Sequence, residues 1–394
     1  MSQPKRHAMD VAKEVDVADA SVEIVVLSVA GKMITTVTVQ IIDSMAAIHK
    51  AIAKSTGIPP VRQRLMHGAK LLTTTDKVSL VFESLAAGAA TLSLTVLGFD
   101  DLIQTILNLR GSDSPALAEL PEEWLVALCS AAEEVFLHEP LLLEVTAPVK
   151  VASFISGDFV SLLKMLDRCG LPPTSKHLFL GNYSLNMNPH SKRHEIELLV
   201  LLLSWKVTYP DQIWLLRGKQ ESIQLSRIHG LYDVIKSRYN VKLWKQFMKV
   251  FNCMPLCALV ANKIFCVSAG ISPELADFDQ IREIVRPIDI PETGLVCDLL
   301  WSDPDPDIKG WAENDRGVSW TFGPDVVTEF VHKHGLNLII RGQNPLQDGY
   351  EFIADGKLLS LITAVNYRDE FQNAGAIALI DESLSVCLEV MPAT

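Results

Sequence analysis

Two β-branched runs separated by an Ala-Gly-Lys turn, "VEIVVLSVAGKMITTVTVQ", begin near Ser21 and read as a β-hairpin. In "SMAAIHKAIAKSTG" the apolar residues Met45, Ile48 and Ile52 recur at helical spacing; Ser44 can cap the helix and Gly57 ends it. "IPPVRQRLMHGAKLL" gives a proline stop and another short strand pair, and "ATLSLTVLG" alternates as a last strand. This order predicts a small α+β roll over residues 21–97, preceded by a flexible tail, residues 1–20, that mixes acids and bases without an apolar signal core. Helical periodicity returns by Leu102 in "DLIQTILNLRG", then in "PEEWLVALCSAAEEVFLHEP" with Pro121 in its first turn. From "VKVAS" to "KIFCVSAG" strands and helices alternate, which predicts an α/β fold. The stretches "GLNLIIRGQ", "GYEFIADGKLLSLITAVNY" and "GAIALIDESLSVCLEVM" are strand-rich, so a β-sandwich flanked by helices fits residues 98–394.

The bulk numbers exclude some functions. With 394 residues and 48% hydrophobic content the chain can bury a core in each domain. A formal net charge of −12 argues against nonspecific binding to nucleic acid or an anionic membrane. The nearest approach to a membrane span, "EIELLVLLLSWKV", is short and interrupted by charge. The seven cysteines are scattered, and "CMPLC" has no second Cys/His pair at zinc spacing, so buried free thiols in a reducing compartment are expected. The expected location is cytoplasmic or nuclear, or within a large intracellular assembly.

Two strand ends raise a chemical question. "HLFLGNYSLNM" and "QIWLLRGKQES" are buried-type strands that break into glycine and polar residues, as strands do where a loop holds a ligand. Strand ends of this kind in metal enzymes carry Asp, His or Asn. Here they carry Asn182, Leu185, Asn186, Lys219 and Gln220.

Residues 22–97 resemble ubiquitin, in "AGKMITTVTV", "GIPPVRQRLMHGAKLL" and "TLSLTVL". The resemblance implies a β-grasp roll whose partner-binding patch maps onto Val29, Met66 and Thr95. The chain continues as "LGFDDLIQ" in place of a free Gly-Gly end, so conjugation through that end is not expected.

From about residue 99 onward the chain resembles the type-1 serine/threonine protein phosphatase catalytic subunit. "VKLWKQFMKVFNCMPLCALV", "RPIDIPETGLVCDLLWSDPDPDIKGWAENDRGVSWTFG", "DGYEF" and "NAGAIALIDESL" carry it. The resemblance implies a metallophosphoesterase-like sandwich in which two metal ions activate a water for in-line attack on phosphorus. Such a site needs carboxylate, imidazole and amide-oxygen ligands. At the matching positions this chain has Phe154 and Ser156 for a metal-binding Asp and His, and Asn182 for the bridging Asp. Leu185 replaces the Asp that orients the catalytic His, and Asn186 the phosphate-gripping Arg. Lys219 stands for the Asn ligand, Gln220 for the catalytic His, and Ser268 and Gln343 for the last two histidines. A unit cation 4 Å from a dication is repelled by about 2 kcal/mol even in bulk water. The expectation is a pseudophosphatase with no metal, no cofactor and no catalytic residue. Either Lys219 occupies the space of the metal charge, with Asn182, Gln220 and Gln343 hydrogen-bonded around it, or Lys219 snorkels to water.

Arg316 and Tyr367 match a phosphate contact and an active-site tyrosine that survive. The regulator groove for R-V-x-F peptides maps onto Ile264, Leu338, Phe352, Leu384, Ser385, Val386 and Leu388, and an extended peptide could add there as an edge strand. His332 and His334 read as a solvated helix end, and "SDPDPD" as a turn. Three functions stay open: a scaffold or structural subunit that binds proteins within a multi-protein complex, a ubiquitin-pathway adaptor, and an enzyme with residual or non-metal phosphoester chemistry. The first is favoured. Neither nucleic acid nor membrane insertion is expected.

Overall fold

The computed structural model describes residues 21–28, 33–40, 45–56, 63–67, 70–71, 90–96, 99–109, 118, 120–184 and 194–393. The tail 1–20, Val29, Ser44, Gly57, Leu185 and Asn186 lie outside them. The chain divides into two compact units, Met1–Gly98 and Phe99–Thr394.

In the first unit β1 (Ser21–Ser28) and β2 (Met33–Gln40) form the antiparallel hairpin, followed by α1 (Met45–Thr56), β3 (Gln63–His67), β4 (Lys70–Leu71) and β5 (Ala90–Val96). The sheet order is β2-β1-β5-β3-β4, with β1 and β5 parallel at the centre. α1 buries Met45, Ile48 and Ile52, and the strands bury Ile24, Val26, Val37, Val39 and Leu65. Full burial of side chains of this size stabilises by roughly 1.5–3 kcal/mol each. Met66 lies on β3 and Thr95 on β5, where Arg64 and Thr95 pair.

The second unit opens with α2 (Phe99–Leu107) and α3 (Glu122–His138); Pro121 sits at the N-cap of α3, where its missing N–H is harmless. Then come β6 (Leu142–Val145), β7 (Val149–Ala152), α4 (Phe159–Cys169), β8 (His177–Phe179), α5 (Glu195–Thr208), β9 (Ile213–Leu215), α6 (Ile223–Ile228), α7 (Leu231–Arg238) and α8 (Val241–Cys253). The chain goes on through β10 (Cys257–Val260), β11 (Ile264–Val267), α9 (Asp279–Arg282), α10 (Leu295–Trp301), β12 (Asp303–Pro304), β13 (Trp311–Glu313), β14 (Trp320–Phe322) and α11 (Pro324–Lys333). The last strands are β15 (Leu338–Gly342), β16 (Tyr350–Ile353), β17 (Leu358–Leu361), β18 (Gly375–Ile380) and β19 (Val386–Met391).

Two mixed sheets make the sandwich, ordered β16-β17-β15-β11-β10-β6 and β19-β18-β7-β8-β9. Leu143, Val151, Leu178, Cys266, Ile340, Leu361 and Ala378 belong to the core they enclose. A second core joins Phe265 and Ile339 to Leu299, Val327 and Phe330 from α10 and α11. The parallel strands β8 and β9 are buried throughout, and β7 is buried apart from the half-buried Lys150, as strands covered on both faces demand. α5, the most membrane-like run, is instead a core helix buried from Glu195 to Lys206. Its one lysine, Lys206, pairs with Glu139. No described helix is long and apolar enough to cross a membrane.

Three expectations need correction. His334 is not a solvated end; its ring lies 4.6 Å from Phe278 and 4.5 Å from Phe330, and burial pushes its pKa down. Cys387 is exposed on β19, while the other six cysteines are buried free thiols. "SDPDPD" is not only a turn, because Asp303 enters β12 and pairs with Thr321.

Candidate functional site

The loops that leave β7, β8, β9, β11 and β15 converge. After β7, Ser156 N–H donates to Asn182 O (3.0 Å) and Gly157 N–H to Tyr183 O (2.8 Å), which joins the first loop to the second. The second and third loops meet back to back at glycines. A Cβ on Gly181 would lie 2.4 Å from Gly218 N, and one on Gly218 would lie 2.3 Å from Asn182 N. Only glycine permits that approach.

A buried carboxylate fixes this junction. Glu221 Oε2 accepts from the backbone N–H of Asn182 (2.8 Å) and Gly218 (2.9 Å), and Oε1 from that of Tyr183 (2.9 Å). Burial raises the Glu221 pKa, while these donors and nearby Arg217 oppose the rise. Arg217, itself fully buried, donates through Nε to Glu221 O (3.0 Å) and through Nη2 to Asn252 Oδ1 (2.7 Å).

The backbone here is unusual. Phe154 (φ 48°), Ser156 (φ 57°), Asn182 (φ 61°) and Gln343 (φ 146°) all lie at positive φ without being glycine. A phenylalanine there is an outlier, and such strain costs on the order of 1–3 kcal/mol per residue. Phe154 is nonetheless buried, packed on Tyr367 with ring centroids 5.2 Å apart, in a cluster with Ile362 and Ala364. The Tyr367 pKa is raised by burial, opposed by nearby Arg368 and by a hydrogen bond with Ser156.

The polar residues form a connected network. Asn182 Nδ2 donates to Ser268 Oγ (3.2 Å), and Asn182 Oδ1 accepts from Gln220 N–H (3.3 Å). Gln220 Oε1 lies 2.6 Å from His229 Nδ1. Gln343 Nε2 donates to Trp301 O and to Asp303 Oδ1, both 3.2 Å. Asp303 is the hub: its carboxylate also receives Arg341 Nη2 (2.7 Å) and Arg316 Nε (2.7 Å). Although burial opposes ionisation, these two guanidiniums and nearby Lys219 hold the Asp303 pKa well below the usual carboxylate range. Arg316 Nη2 donates to Asn344 Oδ1 (2.6 Å).

Lys219 is 6% exposed. The three amides do not ring it; they bond one another's neighbours, and the Lys219 Nζ lies over the Trp301 indole, 4.7 Å from the ring centroid. Burial first, then the nearby positive charge of Arg316, push its pKa down to about 7, against the attraction of Asp303.

Hydrogen bonds and ring contacts thus link Phe154, Ser156, Asn182, Gln220, Ser268 and Tyr367, and Gln343 with Arg316 through Asp303. These residues do not fit a two-metal centre. The set offers neutral oxygens, a phenyl ring and a buried amine, and among the described residues no group of three or more His, Cys, Asp or Glu could hold a metal ion. Sequence reasoning missed Asp303, Trp301 and Glu221. The need of Arg316 and Arg341 for a counter-ion was a signal for Asp303; nothing local marked the indole.

The groove residues lie away from these loops. Ile264 and Leu338 pair in register and are buried, while Leu384, Val386 and Leu388 pack partly buried on the same core. Phe352, on the edge strand β16, is 46% exposed, and Ser385 is exposed beside β19.

Comparison with known proteins places this geometry. Residues 137–342 match the model of the calcineurin-like phosphoesterase family, and residues 99–146 that of the serine-threonine protein phosphatase N-terminal domain. A protein serine/threonine phosphatase from Saccharomyces cerevisiae, with similarity to human phosphatase PP5, aligns with a TM-score of 0.65 at 25% identity, covering 70% of this chain and 91% of that one. A cold-active protein tyrosine phosphatase aligns with a TM-score of 0.48 at 14% identity, covering 66% of this chain and 81% of that one.

Proposed function

We propose a binding role for this chain, which belongs to the calcineurin-like phosphoesterase family and has a serine/threonine phosphatase fold: it is a catalytically inactive member that acts as a protein-binding scaffold or a structural subunit of a larger assembly. One observation carries this reading. The loops keep a strained backbone, with Phe154, Ser156, Asn182 and Gln343 at positive φ, yet the side chains they hold are phenyl, hydroxyl and amide. Two-metal chemistry requires anionic and imidazole ligands at such a centre. Lys219 puts a buried amine where such a centre needs an amide-oxygen ligand. Arg316 is bound to Asp303 and Asn344, so residual phosphate binding through Arg316 and Tyr367 is the weaker part of the reading.

For the protein-binding surface we favour the groove that ends at Phe352, where an extended R-V-x-F peptide would add beside an edge strand. The parallel β1–β5 pair flanked by antiparallel strands, with α1 packed against β2, supports a ubiquitin-like β-grasp reading of the first unit. That unit would supply a second protein-binding face.

The test is metal content by elemental mass spectrometry on protein purified with added manganese, with phosphatase activity assayed on the same sample. Absence of both metal and turnover is expected; stoichiometric metal with turnover overturns inactivity. Binding of a fluorescent R-V-x-F peptide, weakened at least about tenfold by Phe352→Ala, is expected for the groove. Equal binding by both proteins would exclude it.

A further inference from the structure

The Lys219 amine is left over by a scaffold role. It is over nine-tenths buried, and among the described residues its Nζ has no hydrogen-bond acceptor; its neighbour is the Trp301 indole face.

Its charged surroundings come from every side. Arg316 comes from the β13–β14 turn and Arg341 from β15; both repel a charged lysine. Asp303 of β12 attracts it, but the Asp303 oxygens already receive Arg341, Arg316 and Gln343. His229, at the end of α6, feels the lysine as one more positive charge. Glu221 is spent on three backbone N–H groups.

We propose that Lys219 is an imine-forming lysine that captures a small carbonyl compound carrying an anionic group. Two observations make the amine suited to it: burial of the side chain and the guanidiniums gathered around Asp303 beside it. Both disfavour the ammonium and leave the nitrogen lone pair free, the arrangement that activates lysine nucleophiles. The downward push on its pKa, to about 7, agrees. The anionic group follows from the two guanidiniums, Arg316 and Arg341, that share one fully engaged carboxylate. Arg316, the more exposed of the two, has only Nε and Nη2 engaged among the described residues and keeps Nη1 for an incoming carboxylate or phosphate.

The step balances without an oxidant or reductant. The neutral amine adds to the carbonyl carbon, and the former carbonyl oxygen takes up a proton to give a carbinolamine. That oxygen then leaves as water, carrying away the two amine hydrogens overall, and a C=N bond replaces C=O.

The experiment treats the full chain at pH 7.4 with glyoxylate and cyanoborohydride, which fixes the imine as a stable carboxymethyl-lysine, and maps the product by peptide mass spectrometry. Acetaldehyde serves as the neutral control. A lysine near 7 holds roughly a thousandfold more free amine at this pH than an ordinary one near 10.4, so labelling of Lys219 at least about a hundredfold faster than of surface lysines is expected. Glyoxylate should outpace acetaldehyde at this site, and Arg316→Gln should remove most of that advantage. Lys219→Met should abolish the fast label. A folded protein whose Lys219 is unlabelled, or labelled no faster than the surface lysines or than the same protein in urea, overturns the proposal. Equal rates for glyoxylate and acetaldehyde overturn its anionic part.

Discussion

Replacing Lys219 by methionine should make the second unit more stable, and the gain should depend on pH in a fixed direction. The folded-state pKa, about 7, lies below the ordinary lysine value of 10.5. The unfolded chain therefore binds the proton more tightly, and the lysine costs stability wherever that proton is bound. Below pH 7 both states are protonated and the cost is complete. As pH rises from 7 toward 10.5 the folded amine is already neutral, and the cost fades. At about 1.36 kcal/mol per tenfold change in affinity, the gap amounts to roughly 4–5 kcal/mol at pH 6 and to about 1 kcal/mol at pH 10. Methionine has nearly the length of lysine and keeps the packing on Trp301. Urea unfolding followed by tryptophan fluorescence suits the measurement, because all seven tryptophans lie in the second unit. Lys219→Met should raise the urea midpoint strongly at pH 6 and little at pH 10. A variant that is less stable at pH 6, or a difference that does not change with pH, would refute the argument from desolvation.

Asp303→Asn should act in the opposite sense, costing about 3–5 kcal/mol, because it leaves Arg341, 1% exposed, buried without its counter-charge; thermal unfolding of the two proteins side by side checks this. His177 is buried at the start of β8 with Nε2 3.0 Å from Gly170 O, and burial lowers its pKa to about 4. Its neutral form is the folded one, so wild-type stability should fall by about 3 kcal/mol as pH drops from 6.5 to 4, and His177→Gln should flatten that part of the urea-midpoint profile.

Much of the fold was readable in the order of apolar runs. The hairpin of β1 and β2, the helix on Met45, Ile48 and Ile52, and the alternation that gives β7, β8 and β9 all appear where periodicity places them. Two strands, β6 in "LLLEV" and β10 in "CALV", were not. They are four-residue segments, β10 buried throughout and β6 buried apart from Glu144, and periodicity alone cannot assign segments so short. In the loops, residue types showed amide, hydroxyl and amine where a two-metal centre needs carboxylate and imidazole. They did not indicate how the replacements bond. Asn182 reaching Ser268, Gln343 reaching Asp303 and Lys219 lying on Trp301 join residues tens of positions apart, and no local pattern encodes such pairings. "SDPDPD" holds a turn, but its link to the site was hidden for the same reason, since the partners of Asp303 are two distant arginines.

The place of β18 has a consequence for how the molecule comes to exist in time. β18 is the strand that covers one edge of β7, pairing Leu379 with Lys150, although β7 is made far earlier during synthesis. Until residues 375–380 arrive, the nascent chain holds β7, β8 and β9 with a bare flank, a template for pairing with a neighbouring chain. Vectorial folding therefore cannot finish this sheet piece by piece, and a ribosome stalled between β17 and β18 would display a half-built sandwich to the chaperones around it.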